Sequence, residues 1–173
     1  MADGGGRLSL REAALFGVLG GLTFALKLAM AFLPNIEPVS LLVMLFAVTF
    51  GRRAFYPICV YVLLEFAVYG FGLWSFCYLY IWGILAVLAR LMRREEHPLI
   101  WAALSGGFGL AFGLLCAPVD LIVGGPAWAL ARWASGIPFD LLHCAGNFII
   151  TLVLFSPLRL LFDRLSRRIR ADR

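Results

Sequence analysis

The feature that most constrains this chain is a succession of apolar runs, each closed by a short break of glycine, proline or arginine, with no polar stretch long enough to build a water-facing domain. After Arg7 and Arg11 the first run extends from Ala13 to Leu33, and Pro34-Asn35-Ile36-Glu37-Pro38 forces a turn. Val39 to Phe50 follows and is closed by Gly51-Arg52-Arg53; Ala54 to Tyr69 is closed by Gly70-Phe71-Gly72; Leu73 to Met92 leads into Arg93-Arg94-Glu95-Glu96-His97-Pro98. Leu99 to Val123 is a long run, Gly124 to Gly136 reads as a loop holding Trp128, Arg132 and Trp133, and Ile137 to Phe162 precedes an arginine-rich tail. With 62% hydrophobic and only 14% charged residues, the chain is excluded from the class of soluble domains. The expectation is an all-α membrane protein: one domain over 1–173, a six-transmembrane-helix bundle with spans near 12–33, 38–51, 54–69, 73–92, 99–123 and 137–162. The first run is too long for a signal-peptide core and no small-residue cleavage site follows it, so it reads as a retained span.

Charge sets the orientation. Val39 to Phe50 makes only about 18 Å of helix against a hydrocarbon core of about 30 Å, so its crossing is the doubtful one. If all six runs cross, Arg7, Arg11, Arg52, Arg53, Arg90, Arg93, Arg94 and the arginines from Arg159 onward share one side, leaving Arg132 on the other. Five crossings scatter them. Both termini are therefore expected in the cytoplasm, and the net charge of +5 reads as a positive-inside signature with no nucleic-acid partner. Fourteen arginines against one lysine fit a GC-rich bacterial source.

Against this background the intramembrane polar residues stand out, because an ionisable group in the bilayer costs about 2.5–3.5 kcal/mol by insertion scales. In Gly136–Asn147, read GIPFDLLHCAGN, the residues Asp140, His143 and Asn147 share one helical face. Counted from the expected outer turns, Lys27, Glu65, Asp120, Asp140 and His143 all fall about 6–10 Å below the outer rim, with Asn35, Glu37 and Arg132 in the outer loops above. A water-accessible binding cavity open to the outside is the expectation; internal pairing, Lys27 with Glu65 for example, is the alternative. Tyr61, Glu65 and Tyr69 form an i, i+4, i+8 stripe, and Trp74 with Tyr78 continues it on the next helix, supplying flat walls for a flat ligand or interfacial anchors.

The first helix repeats small residues every four positions at Ala13, Gly17, Gly21, Ala25 and Ala29, a track that lets another helix approach closely. Lys27 lies about 200° round from Ala25, so charged and smooth faces oppose each other. The mate is either a partner protein or Gly106, Gly109 and Gly113 of the fifth run. No GxxxxGK[ST] is present, so the chain does not itself hydrolyse ATP. Cys59, Cys77, Cys116 and Cys144 show no CxxC pairing, and neither a disulfide framework nor a metal site is indicated. No nucleophile motif is found, so catalytic residues are expected to be none, although Asp140 and His143 leave an acid–base enzyme open.

The small-residue track, the PNIEPVSLL turn, the YGFGLW break and IPFDLLHCAGNF at the head of the last run together resemble the substrate-binding S component of energy-coupling factor (ECF) vitamin transporters. The resemblance implies a bacterial cytoplasmic-membrane protein that binds a vitamin or related micronutrient on its outer face, without a cofactor. It also implies docking of the first helix on a transmembrane T subunit, two ATPase subunits to drive uptake, and a gating or contact role for Asn35 and Glu37. The site residues expected on these grounds are Lys27, Asn35, Glu37, Glu65, Tyr69, Trp74, Tyr78, Asp120, Arg132, Asp140, His143 and Asn147. A stand-alone ion-coupled carrier and an intramembrane enzyme are the competing classes.

Overall fold

The computed structural model describes residues 8–171, and every regular element among them is helical. Helix α1 (Leu10–Ala29) starts at a capping box: Ser9 Oγ accepts from the Glu12 N–H while the Glu12 carboxylate accepts from the Ser9 N–H. Helix α2 (Val39–Phe50) is buried without interruption from Val39 to Ala47 and runs through the middle of the bundle, against α4 (Leu73–Leu91) and α6 (Phe112–Ala171). A 3₁₀ turn over Gly51–Ala54 returns the chain into α3 (Phe55–Tyr69), which packs along α1. His97 and Pro98 begin α5 (Pro98–Leu110), with the His97 ring accepting from the Leu99 N–H.

Helices α5 and α6 form an antiparallel hairpin whose bend is not where the sequence pattern places it. The stretch Gly124–Gly136 is not a loop. The chain reverses at Gly125 alone, whose φ of 77° a side chain would disfavour, and Pro126 restarts the helix with its φ preset. Trp128, Arg132 and Trp133 therefore sit on a helix, and the arm beyond Gly125 runs unbroken through Gly136 and Pro138 to Ala171. The arms meet at glycines: a Cβ on Gly109 would stand 2.8 Å from the His143 carbonyl, and one on Gly106 3.2 Å from that of Cys144. These glycines are thus the mates of α6 rather than of the small-residue track on α1. Trp101 stacks on Phe155 at 4.6 Å, and the Arg159 guanidinium donates to the carbonyls of Glu95 and Arg93, closing the open end.

Among the described residues, four stretches are long and apolar enough to cross a bilayer: Leu10–Ala29, Val39–Tyr69, Leu73–Leu91 and Pro98–Arg168. Their outward faces carry Leu22, Leu63, Leu79, Ile122, Leu130, Ile149 and Val153 in the open. A surface so apolar belongs in lipid. At the end of the bundle where α2 meets α3, the buried Glu12 pairs with Arg53 beside a cluster of Phe16, Phe46, Phe50 and Phe162.

The close approach of the hairpin arms is testable at neighbouring positions. Gly109→Ala pushes a methyl into backbone and is expected to cost about 1–3 kcal/mol, read as a lowered thermal unfolding midpoint in detergent. Gly107→Ala, two residues away with nothing within 4 Å, is expected to hold or raise the midpoint. Equal effects would show that the arms are not in contact there.

Candidate functional site

The last turn of α1 points Lys27 inward, where its Nζ donates to Glu65 Oε2 at 2.7 Å and to the Tyr78 hydroxyl at 3.2 Å. Helical spacing builds the rest. Tyr61, Glu65 and Tyr69 lie on one stripe of α3, and Trp74, Tyr78 and Trp82 on one stripe of α4. Four of these rings, Tyr61, Tyr69, Trp74 and Tyr78, have centroids 5.1–6.0 Å from the ammonium, so Lys27 stands in an aromatic cage. Trp82 extends the same i, i+4, i+8 series as Trp74 and Tyr78. Its spacing announces it, and a reading stopped at Tyr78 misses it.

Beyond Trp82 the ring wall continues across to the α5–α6 hairpin. Trp82 and Tyr78 both meet Phe112, at 6.0 and 6.4 Å, and Phe112 lies 4.9 Å from the His143 ring. Along this wall Glu65 Oε1, Trp82 Nε1 and His143 Nε2 are buried with no hydrogen-bond partner, while the buried Tyr61 hydroxyl is engaged with that of Tyr78. A buried polar atom left unpaired costs about 1–3 kcal/mol, more when charged. Three such atoms stand together on this wall, while those of Thr49, Ser105, Asn147 and Thr151 lie along α2, α5 and α6.

The segment between α1 and α2 lies over the cage. Asn35, in left-handed backbone (φ 58°), donates its side-chain amide to the Phe139 carbonyl at 3.2 Å, and Ile36 packs onto Gly146, so the segment is tied to α6. Glu37, half-buried, is close enough to the cage to feel its charges. Desolvation raises its carboxyl to about 7, a rise opposed by Lys27 and reinforced by Glu65.

The other expected site residues make contacts away from the cage. Asp120 pairs with Arg132 at 2.9 Å across the two arms of α6, and Arg132 lies over the Trp128 ring. Asp140 accepts the Gly113 N–H at 3.1 and 3.2 Å, capping the place where α5 breaks at Ala111 and α6 begins. Asn147 donates to Ser40 Oγ at 2.9 Å and to the Ser105 carbonyl at 3.2 Å, stitching α6 to α2 and α5. Asp140, His143 and Asn147 do share a buried face, but only His143 reaches the ring wall. Nor do Asp120 and Asp140 lie at one level. With the bend at Gly125, Asp120 is about 8 Å along its arm from the turn and Asp140 about 22 Å. A separate groove of about 400 Å³ on α3 and α4 is lined only by Phe55, Tyr80, Gly83, Ile84, Val87 and Leu88 and offers nothing polar to orient a ligand.

On the opposite face of α1, Ala13, Ala25 and Ala29 are exposed, and Gly17 and Gly21 have no neighbour within 4 Å of an added Cβ. Gly20, off this track, is the glycine that packs on α3, against Pro57 and Val60. No family model, curated protein or solved structure matches the chain.

Two outcomes follow from this geometry. Lys27→Met leaves Glu65 buried without its counter-ion and is expected to cost about 3–5 kcal/mol, seen as a fall in thermal midpoint, much of it restored in Lys27→Met/Glu65→Leu. An unchanged midpoint in the single variant would show that the pair does not hold α1 to α3. Glu37 has a folded pKa above its unfolded value, so its contribution is fully present below pH 4.5 and is lost as pH rises to about 7. The wild-type midpoint should fall across that window relative to Glu37→Gln, with no difference in slope above it.

Proposed function

We propose that the chain is the membrane-embedded substrate-capture subunit of an ECF-type importer. It takes up a vitamin or related micronutrient from the outer face and passes it through a T subunit powered by two ATPase subunits. On this reading α1, α2, α3, α4, the α5 arm with the start of α6, and the arm of α6 beyond Gly125 make six crossings, with both termini in the cytoplasm of a bacterium. The observation that carries the proposal is the ring-lined wall on which buried polar atoms of Glu65, Trp82 and His143 stand together without partners, roofed by the segment that holds Asn35 and Glu37. The carboxylates of Asp120 and Asp140, by contrast, are engaged within the bundle.

The open small-residue face of α1 supplies a surface for the T subunit, on the side of the helix away from Lys27. Alternation of orientation supports the topology: α1 and α3 run the same way, since Phe16 meets Tyr56 and Phe24 meets Tyr69, while the α6 arm beyond Gly125 runs opposite to α5. Polar groups of the candidate site then lie toward the outer side, and the Glu12–Arg53 pair and Arg159 toward the cytoplasm.

Mass spectrometry of small molecules retained through gentle purification is expected to find one stoichiometric ligand in the wild type and in Asp120→Asn, and none in Glu65→Gln or Trp82→Phe. Retention in the last two would move the site elsewhere. Gly21→Leu is expected to abolish co-purification with a T subunit while leaving that ligand bound; intact assembly would remove α1 as the docking face.

A further inference from the structure

Resting on the capture reading, the charge and hydrogen-bond inventory of the site narrows what it takes. The charged groups facing it are few. Helix α1 contributes Lys27, the α1–α2 segment Glu37, and α3 Glu65, while α2 and α5 carry no charged residue and the charged residue of α4, Arg90, lies at the far end by Gly51. Asp120 and Asp140 are committed elsewhere, to Arg132 and to the Gly113 N–H. The site therefore holds two carboxyl groups against one ammonium, and that ammonium is already engaged by Glu65 Oε2 and Tyr78.

The unpartnered atoms carry the same message. Glu65 Oε1 is a fully buried carboxylate oxygen that only a donor can complete. The surfaces around it are ring faces, which attract positive and repel negative charge. Trp82 Nε1 is a donor awaiting an acceptor, and His143 Nε2, on the titratable ring that α6 brings to the wall, donates or accepts according to its tautomer. An anion brought here would meet two carboxyl groups and the π faces of at least three rings, with its one counter-ion already paired.

We infer that the ligand carries a flat cationic nitrogen group, of the amidinium or protonated heteroaromatic-amine class, whose N–H donates to Glu65 Oε1 and whose plane lies against the Tyr61, Tyr78 and Trp82 rings. A neighbouring acceptor on the same ligand takes the Trp82 N–H. Glu37, in the segment tied down by Asn35 and Ile36 and within electrostatic reach of Lys27, Tyr61, Glu65 and Tyr78, supplies the second negative charge. The cation favours its ionised form, so binding releases a proton and strengthens as pH rises.

The test uses three probes of one shape and different charge, benzamidinium, benzamide and benzoate, titrated against the purified chain by tryptophan fluorescence. Benzamidinium is expected to bind saturably, at least tenfold more tightly than benzamide, with benzoate unable to displace it. From pH 6 to pH 8 its affinity should rise about tenfold in the wild type and stay flat in Glu37→Gln. In Glu65→Gln the preference for the cation should vanish; the charge series on the wild type stands even if that variant fails to fold. Benzoate or benzamide binding as well as benzamidinium, with loss in Trp82→Phe, would overturn the charge class and leave the capture site standing. No saturable signal from any probe would overturn the inference, and together with an empty purified protein would remove the capture reading too.

Discussion

The Lys27–Glu65 pair is the interaction on which the rest of the arrangement depends. An ammonium and a carboxylate in a low-dielectric interior are stable only together, and only if their remaining valences are met. Lys27 meets its own with Tyr78 and four ring faces, while Glu65 keeps one oxygen open. Because α1 is held to α3 and α4 at this point, its rotation about its own axis is fixed. Lys27 must face in, so Ala25 and Ala29 must face out, and Gly21 is left without a neighbour. One ion pair thus decides both where the cage stands and which face of α1 the lipid or a partner meets.

The α5–α6 hairpin is the other rigid body. Glycines at 106, 109 and 113 let backbone meet backbone or carboxylate, and three polar contacts pin it along its length: Asp120–Arg132 near the bend, Asp140 at the break after Ala111, and Asn147 at the contact with α2. Phe112 and His143, at the level of Asp140, are the residues through which this frame touches the cage. The candidate site is therefore a seam. Tyr61, Glu65, Tyr78 and Trp82 come from α3 and α4, His143 comes from the hairpin, and the Asn35–Glu37 segment crosses between them.

Periodicity made much of this legible. The aromatic stripes of α3 and α4, the opposition of Lys27 to the small-residue track, and the possibility of a Lys27–Glu65 pair all follow from 100° per residue and the cost of charge in lipid. The bend of the hairpin did not follow. Gly124-Gly125-Pro126 and Gly136-Ile137-Pro138 are equally good breakers on paper, and only packing distinguishes them: Pro138 is carried inside a helix whose neighbouring turn is held by Asp140 on Gly113. Misplacing the bend by eleven residues put Asp120 and Asp140 at one level, whereas the bend at Gly125 separates them by about 15 Å along the hairpin and leaves Asp140, engaged with the Gly113 N–H, beside the Phe112 that meets the cage.

Hydrogen-bond completeness then does what depth could not. Asp120 and Asp140 are both buried, yet each has its carboxylate engaged and neither demands more. Glu65 is equally buried, has a counter-ion, and still lacks a partner at one oxygen, as does the Trp82 N–H on the same wall. In an interior where unpaired polar atoms cost more than paired ones recover, a sequence selected only for stability would replace Trp82 with phenylalanine, removing the open N–H at little loss of packing. That these atoms remain, side by side and next to a caged ammonium, is what the proposed capture site rests on, because on that reading a ligand completes them.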